Sequence, residues 1–236
     1  MKILGVRIDN FSGKEALEKV EFFLQEDEFR QITTINPEFI LLAQKDPEFK
    51  NIINASDLCL ADGIGIWFSY LRFGKILKNR VVGADFTFKI LETANEKKLP
   101  IFIANSNEGL SRWEEIRKAI LEIYPNLIVS GANLDKNRYD LDLSQEQAQI
   151  LFCNFGAPYQ EKLIHSLKSQ KNSKIRLAIG VGGSFDFLTG KIKRAPKIFQ
   201  KIGLEWLWRF FQEPRYRARR IFRAVIIFPI KVLFSK

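Results

Sequence analysis

The chain has 236 residues and a mass of 27.4 kDa, 46% of it hydrophobic and 27% charged, which leaves room for an ample core and excludes disordered and fibrous classes. Two cysteines, Cys59 and Cys153, lie in apolar runs without ligand-spaced companions, and His165 is the only histidine, so a zinc site, a disulfide framework and a Ser-His-Asp triad have no basis. The net charge of +10 is concentrated at one end: residues 191–236 carry 13 Lys and Arg against 2 Asp and Glu, the remainder 24 against 25. Residues 2–8 alternate enough for a strand, and 13–24 place Ala16, Leu17, Val20, Phe23 and Leu24 at helical spacing. Residues 31–35 are β-rich and end at Asn36-Pro37, where Pro37 suits a first helical turn before Phe39, Ile40 and Ala43 resume the period. An apolar strand over 58–61 runs into Asp62-Gly63-Ile64-Gly65, with helices expected over 67–73 and from Gly83-Ala84-Asp85 to Asn95.

The second half repeats a cleaner pattern. Strand 100–104 precedes helix 111–123, strand 127–130 precedes a polar segment and a short helix, strand 149–155 precedes helix 158–169, and strand 175–181 ends in Gly182-Gly183. Short apolar strands alternating with helices predict an α/β fold, a Rossmann-like parallel sheet with helices on both faces and ligands at the carboxyl ends of the strands. The expected organisation is one catalytic body over 1–190, its Rossmann-like part starting near 99, and a basic helical appendage over 191–236. Residues 1–9 carry no apolar signal run, so the body is expected to be cytoplasmic.

The expected strand ends hold Thr34, Asn36, Asp62, Asn105, Gln160, Glu161, Gly182, Gly183 and Asp186. Gly180-Val181-Gly182-Gly183 reads equally as a phosphate-cradling turn or a tight turn closing a buried strand, because Phe185 stands where G-x-G-x-x-G needs its last glycine. Asp62-Gly63 is either a plain turn or a carboxylate at the sheet edge, a candidate general base. Asp140-Leu141-Asp142 matches a metal-holding D-x-D, but its polar loop before Ser144 reads better as a solvated helix N-terminus.

In the tail, Arg215, Arg219 and Arg223 fall on one slowly drifting stripe if the chain is helical after Pro214. Beyond them 221–234 is almost wholly apolar, with a kink expected at Pro229, and is too short to span a bilayer. Tryptophans, a basic stripe and an apolar end fit a helix lying in an anionic membrane interface. The competing reading is a helix docked on its own core or on a neighbouring subunit of a homo-oligomer.

Seven blocks in order closely resemble the WecG/TagA/CpsF bacterial glycosyltransferases, glycosyltransferase family 26. They are Thr34-Ile35-Asn36-Pro37-Glu38, Ala61-Asp62-Gly63-Ile64-Gly65, Arg80-Val81-Val82-Gly83-Ala84-Asp85, Phe155-Gly156-Ala157-Pro158-Tyr159-Gln160-Glu161, Val181-Gly182-Gly183-Ser184-Phe185-Asp186, Arg194-Ala195-Pro196 and Gly203-Leu204-Glu205-Trp206. The resemblance implies transfer of an N-acetylmannosamine-type sugar, with inversion and without a metal or other cofactor. The donor would be a UDP-sugar and the acceptor polyprenyl-diphosphate-linked N-acetylglucosamine at the inner membrane face, in teichoic acid, common antigen or capsule synthesis. It implies Asp62 as the base, Thr34, Asn36, Arg80 and Gln160 as substrate-binding residues, and a basic appendage that closes over the site while anchoring to lipid. Arg215, Arg219 and Arg220 are the matching candidates for clamping the donor diphosphate, and Gly182-Gly183 for the phosphate turn.

That chemistry suits the residues present. Displacing UDP needs one carboxylate for the acceptor proton and a positive clamp for the leaving group, whereas a glycosidase wants two carboxylates flanking the bond. A NAD-dependent epimerase or dehydrogenase would want an intact dinucleotide fingerprint near the N-terminus, which is missing. A nucleic-acid-binding module would explain the arginines, yet 221–234 suits acyl chains better than phosphates, so no nucleic-acid partner is expected.

Overall fold

The computed structural model describes residues 1–138, 140–170 and 172–235. Among them six parallel strands form one sheet in the order β4-β3-β8-β7-β5-β6, built from β3 (Arg30–Ile35), β4 (Leu58–Ala61), β5 (Ile101–Ser106), β6 (Val129–Leu134), β7 (Ile150–Cys153) and β8 (Leu177–Gly180). The runs LCLA, ILFC and LAIG are buried at every position, as expected of strands covered on both faces. Alternation then sends Ile150 and Phe152 to one core with Leu60, Ile103 and Ile179, and Leu151 and Cys153 to another with Phe102 and Ala178. Because β5 leads outward to β6 while β7 leads back to β8, the chain reverses direction across the sheet between β5 and β7, opening a crevice beyond their carboxyl ends.

The helices start where their caps dictate. In α1 (Gly13–Gln25) Ser12 Oγ accepts from Glu15 N at 3.2 Å and Glu15 Oε2 accepts from Ser12 N at 2.8 Å, a reciprocal cap. Asn36 caps α2 (Pro37–Ala43) and Asp46 caps α3 (Pro47–Asn54), each followed by proline at the first helical position. The helix α3 is absent from the sequence reading, although Asp46-Pro47-Glu48 carries its start signal. The remaining body helices are α4 (Ile64–Arg72), α5 (Gly83–Glu96), α6 (Trp113–Ile123), α7 (Tyr159–Leu167) and the four-residue α8 (Phe185–Leu188).

Two local expectations are corrected. The strand expected over 2–8 is a hairpin of β1 (Lys2–Ile3) and β2 (Val6–Arg7), reversed at Leu4 and Gly5 with φ of 48° and 79°. No helix follows β6 among the described residues. Instead Leu143 is buried and its loop is pinned by Gln170, which accepts from Leu143 N at 3.1 Å and donates to Leu141 O at 2.5 Å. Asp142 there is exposed and accepts from Ser144 N at 2.8 Å, so it closes a turn rather than opening a helix.

The tail is helical, in α9 (Lys197–Lys201), α10 (Glu205–Gln212), α11 (Pro214–Phe222) and α12 (Phe228–Leu233). A π-helical turn over Arg223–Ile227 joins the last two without a break, absorbing Pro229 just inside α12. The apolar end does not leave the body: Phe228 and Val232 are fully buried with Ile40, Ile66 and Tyr70. Trp208 is also drawn inward, donating from Nε1 to Lys193 O at 3.3 Å and packing on Phe199. One face of the tail is thus core, because an apolar helix lying along α2 and α4 buries more surface docked than solvated.

Phe228→Ala should therefore destabilise the whole protein by about 3–5 kcal/mol, read from the denaturant midpoint at unchanged slope. Unchanged stability would mean that α12 is not part of the core.

Candidate active site

Asp62 follows β4 directly, its N–H donating to Ile35 O at 2.8 Å so that the β3–β4 ladder runs one residue past the strand. Gly63, at φ 86°, then turns the chain into α4. The segment before α5 returns alongside, with Val81 N bonded to Ala61 O at 2.9 Å, and this sets Arg80 beside Asp62. At the start of α5 a Cβ placed on Gly83 would lie 3.2 Å from Thr34 Oγ1 and 3.3 Å from Asp62 Oδ2, so glycine is what lets the helix N-terminus approach the carboxylate.

The residue keeps some solvent contact, but protein surrounds its carboxyl, and this burial pushes the Asp62 pKa up to about 6. Arg80 and the backbone N–H groups of Gly83 and Gly63 pull it down, while Glu205 from α10 pushes it further up. A carboxyl poised near the working pH, next to a guanidinium and beyond the end of a parallel strand, is equipped to take a proton. Next to it a cavity of about 420 Å³ is lined by Asn79, Arg80, Val82, Asp85, Lys197 and Gln200.

The tail forms one wall of this region. Arg80 Nη2 donates to Gln200 O at 2.7 Å, and a Cβ on Gly203 would collide with Arg80 Nη1 at 2.5 Å. Arg194 bridges Asp85 of α5 and Glu205 of α10, and lies over the rings of Phe88 and Phe187. The RAP block and Glu205 therefore fasten the tail over Asp62.

At the other strand ends, Asn36 Oδ1 accepts from Glu38 N and Phe39 N at 2.9 and 3.1 Å, so Asn36 serves first as a helix cap beside Gly63. The Gln160 amide is turned inward, its Oε1 accepting from Gly156 N at 3.1 Å and Gly182 N at 3.0 Å. A Cβ on Gly182 would meet nothing within 4 Å, so this turn faces open space at the crevice. It opens only a three-residue 3-10 helix and the four-residue α8, too short for the helix dipole on which dinucleotide sites rely.

Of the arginines expected to clamp a diphosphate, Arg220 is bound to Glu38 on α2, with Nε 2.8 and 2.9 Å from its two oxygens, while Arg215 and Arg219 are exposed. The tail arginine that does reach the glycine turn is Arg209, which sequence reasoning missed. Its Nη2 would lie 3.6 Å from a Cβ on Gly183, its guanidinium stacks 4.8 Å from the Phe187 ring centre, and its Nε is buried without a partner. Burial and the nearby Arg217 lower its pKa to about 10, against the pull of Glu205 and Glu213. Its signal in the sequence was an arginine inside the apolar run Trp206-Leu207-Trp208-Arg209-Phe210-Phe211. Asp140 and Asp142 lie in the exposed loop after β6, apart from this site.

A parallel α/β sheet with the activated Asp62 carboxyl and a set of arginines at its carboxyl edge defines a group-transfer enzyme for an anionic substrate. The model of the Glycosyl transferase WecG/TagA/CpsF family matches residues 1–236, and the chain belongs to that family. It is 30% identical over 194 residues to the N-acetylglucosaminyldiphosphoundecaprenol N-acetyl-beta-D-mannosaminyltransferase of Bacillus subtilis (strain 168), covering 80% of this chain and 74% of that protein. The identically named protein of Bacillus spizizenii (strain ATCC 23059 / NRRL B-14472 / W23) is 28% identical over 203 residues, 84% of this chain and 77% of its own.

Because the folded-state pKa of Asp62 lies above its ordinary 3.8, folding favours the protonated form, and stability is lost as pH rises through about 6. Asp62→Asn should therefore melt at a higher temperature than the native chain at pH 8, with the difference closing near pH 4. A variant no more stable at pH 8 would show that the carboxyl is not desolvated.

Proposed function

We propose that this chain is an inverting hexosyltransferase that moves an N-acetylmannosamine-type sugar from a UDP donor to polyprenyl-diphosphate-linked N-acetylglucosamine, in the assembly of a cell-surface polymer. The observation that carries this reading is Asp62, a carboxyl raised toward neutrality beside Arg80, in a chain whose relatives bear that activity's name. In a single displacement the acceptor hydroxyl oxygen attacks the anomeric carbon from the face opposite the phosphate, and its proton passes to Asp62. The bond from the anomeric carbon to the phosphate oxygen breaks and UDP leaves with the electron pair. Arg80, Arg209 and the turn at Gly182-Gly183 meet the charge growing on the diphosphate. Thr34 and Asn36 flank the sugar, and Gln160 acts by holding the Gly156 and Gly182 loops. This clamp replaces a metal ion in the reading.

Residues 191–236 act as an appendage that completes the site and meets the lipid surface where the acceptor resides. Support comes from the outer face of the docked tail, where Phe222, Val225, Ile226, Ile230 and Leu233 are exposed, and from α4 beside it, which exposes Ile64, Trp67 and Leu71. Arg72 of α4 is tied to Leu233 O at 3.1 Å, so the two helices present one apolar band edged with basic residues. Among the described residues no helix is long and apolar enough to cross a membrane, and binding is therefore peripheral in this reading. Arg217 is paired with Glu213 and Arg220 with Glu38, so two of the tail arginines outside the basic stripe are engaged by carboxylates of the fold itself.

Asp62→Asn should lower turnover by about 10² to 10⁴ with donor binding largely kept, measured with UDP-N-acetylmannosamine and a lipid-diphosphate-N-acetylglucosamine analogue. Near-normal turnover would remove Asp62 from the chemistry. Activity should persist in EDTA, and Asp140→Ala with Asp142→Ala should be close to silent; loss in chelator, restored by Mg²⁺ or Mn²⁺, would contradict the arginine clamp. Trp67→Glu with Ile230→Glu should abolish flotation with anionic liposomes while sparing turnover on a soluble acceptor. Undiminished flotation would place the lipid contact elsewhere.

A further inference from the structure

Behind the Gly182-Gly183 turn lies a cluster of polar side chains sealed from solvent: Gln31 on β3 and Gln160 and Glu161 on α7, each at most 3% exposed. Glu161 Oε1 accepts from Gln160 Nε2 at 2.6 Å, and Gln160 Oε1 holds the N–H groups of Gly156 and Gly182. Space here is fully used, since a Cβ on Gly180 would lie 2.3 Å from Gln160 Nε2 and 2.7 Å from Glu161 Oε1. Gln31 is tethered to the same helix start through Nε2, which approaches Glu161 O at 3.4 Å. Two buried oxygens in this cluster lack a donor, Glu161 Oε2 and Gln31 Oε1.

The neighbouring charges do not resolve this. On α7, Lys162 is bound to Asp46 and Glu48, Lys168 to Asp57, and His165 is exposed. On β3, Arg30 is taken by Glu26, Glu28 and Asp57. The titratable group acting from β7 is Cys153, whose thiol is itself pushed up by burial, and β8 presents only Gly180. An ionised Glu161 would be a buried carboxylate without a cation, and Gln31 Oε1, on the side chain tethered to the Glu161 backbone, would stay without a donor; both features are costly. A single proton removes both, because a neutral carboxyl has one O–H to give and one carbonyl oxygen to accept.

We propose that Glu161 is a positioning residue that works as a neutral acid: its O–H is donated to Gln31 Oε1, and its carbonyl oxygen fixes the Gln160 amide so that Gln160 can grip the loops after β7 and β8. The consequence for the reaction rests on the reading that the Gly182-Gly183 turn meets the donor diphosphate. Ionising Glu161 would reorganise the cluster, loosening the hold of Gln160 on Gly182, which sits at φ 49°. Burial pushes the Glu161 pKa from 4.5 up to about 7, so the proton is held through the range in which Asp62 ionises. Two opposed requirements follow. Activity rises with pH as Asp62 loses its proton near 6 and falls as Glu161 loses its own near 7, while stability from the neutral acid, full below about 4.5, is lost over the same upper range.

The test compares the full-length native chain with Glu161→Gln, Glu161→Ala and Gln31→Leu, following kcat/KM for the UDP-sugar from pH 5 to 9. Glu161→Gln keeps an acceptor toward Gln160 and a donor toward Gln31, so it should stay close to the native chain at low pH and lose the alkaline fall. Glu161→Ala should lose about 10- to 100-fold, mostly through the donor KM, because the turn is misplaced. If Glu161→Ala does not fold, Gln31→Leu carries the test by shifting the alkaline fall to lower pH, since it removes the acceptor of the neutral form. Independently of any substrate, in an Asp62→Asn background, which removes the carboxyl that is also protonated near pH 5.5, infrared spectra should show a protonated carboxylic acid band that is lost when Glu161→Gln is added. Missing that band, an unchanged alkaline limb in Glu161→Gln, or a Glu161→Gln as impaired as Glu161→Ala would each overturn the proposal. Loss of every transferase activity in the native chain with the infrared band intact would instead fault the donor reading.

Discussion

A parallel sheet covered on both faces has no place for polar chemistry except beyond its strand ends, and this constraint arranges everything else in the molecule. Strands such as Leu58–Ala61 and Leu177–Gly180 are buried along their whole length, so the chain must change character abruptly where they stop. Asp62 comes one residue after β4, Asn36 one after β3, Asn154 one after β7 and the glycine turn just after β8. Because the strands are parallel, these breaks fall at the same edge, and residues far apart in sequence meet there.

Electrostatics at that edge is a balance among few charges. Asp62 is raised by burial and by Glu205, and lowered by Arg80 and the amides at the start of α5. Arg194 ties Asp85 and Glu205 together, which fixes the position of the carboxylate on α10 that acts on Asp62. Arg209, with Glu205 and Glu213 nearby and stacked on Phe187, is a cation whose buried Nε has no partner among the described residues. Charges of both signs are thereby held in protein rather than water, where each is felt more strongly by a substrate.

The tail has two faces with different physics. Phe228 and Val232 belong to the core and make the last helix a structural element, while Phe222, Val225, Ile230 and Leu233 on the opposite side remain exposed. A helix that is apolar nearly all round must be covered on both sides, and the body covers only one. Docking on the body and the proposed contact with a lipid surface are therefore compatible for this segment, because the body takes only one stripe of the helix.

The sequence by itself determined the alternation of strand and helix, Pro37 at the first turn of α2, the concentration of positive charge after residue 190, and the family through its seven ordered blocks, since each of these is written in local spacing or composition. The N-terminal reversal at Leu4-Gly5 and the loop around Leu143 escaped it, because a two-residue turn and a loop fixed by a glutamine 27 residues away leave no periodic trace. Only the tertiary structure decided that Arg209 lies against the glycine turn, that Arg220 pairs with Glu38, that Gln160 faces inward, and that the apolar end docks. Those outcomes depend on which side chains share a sealed space across the sheet edge, and periodicity along one chain holds no record of what faces it from another element.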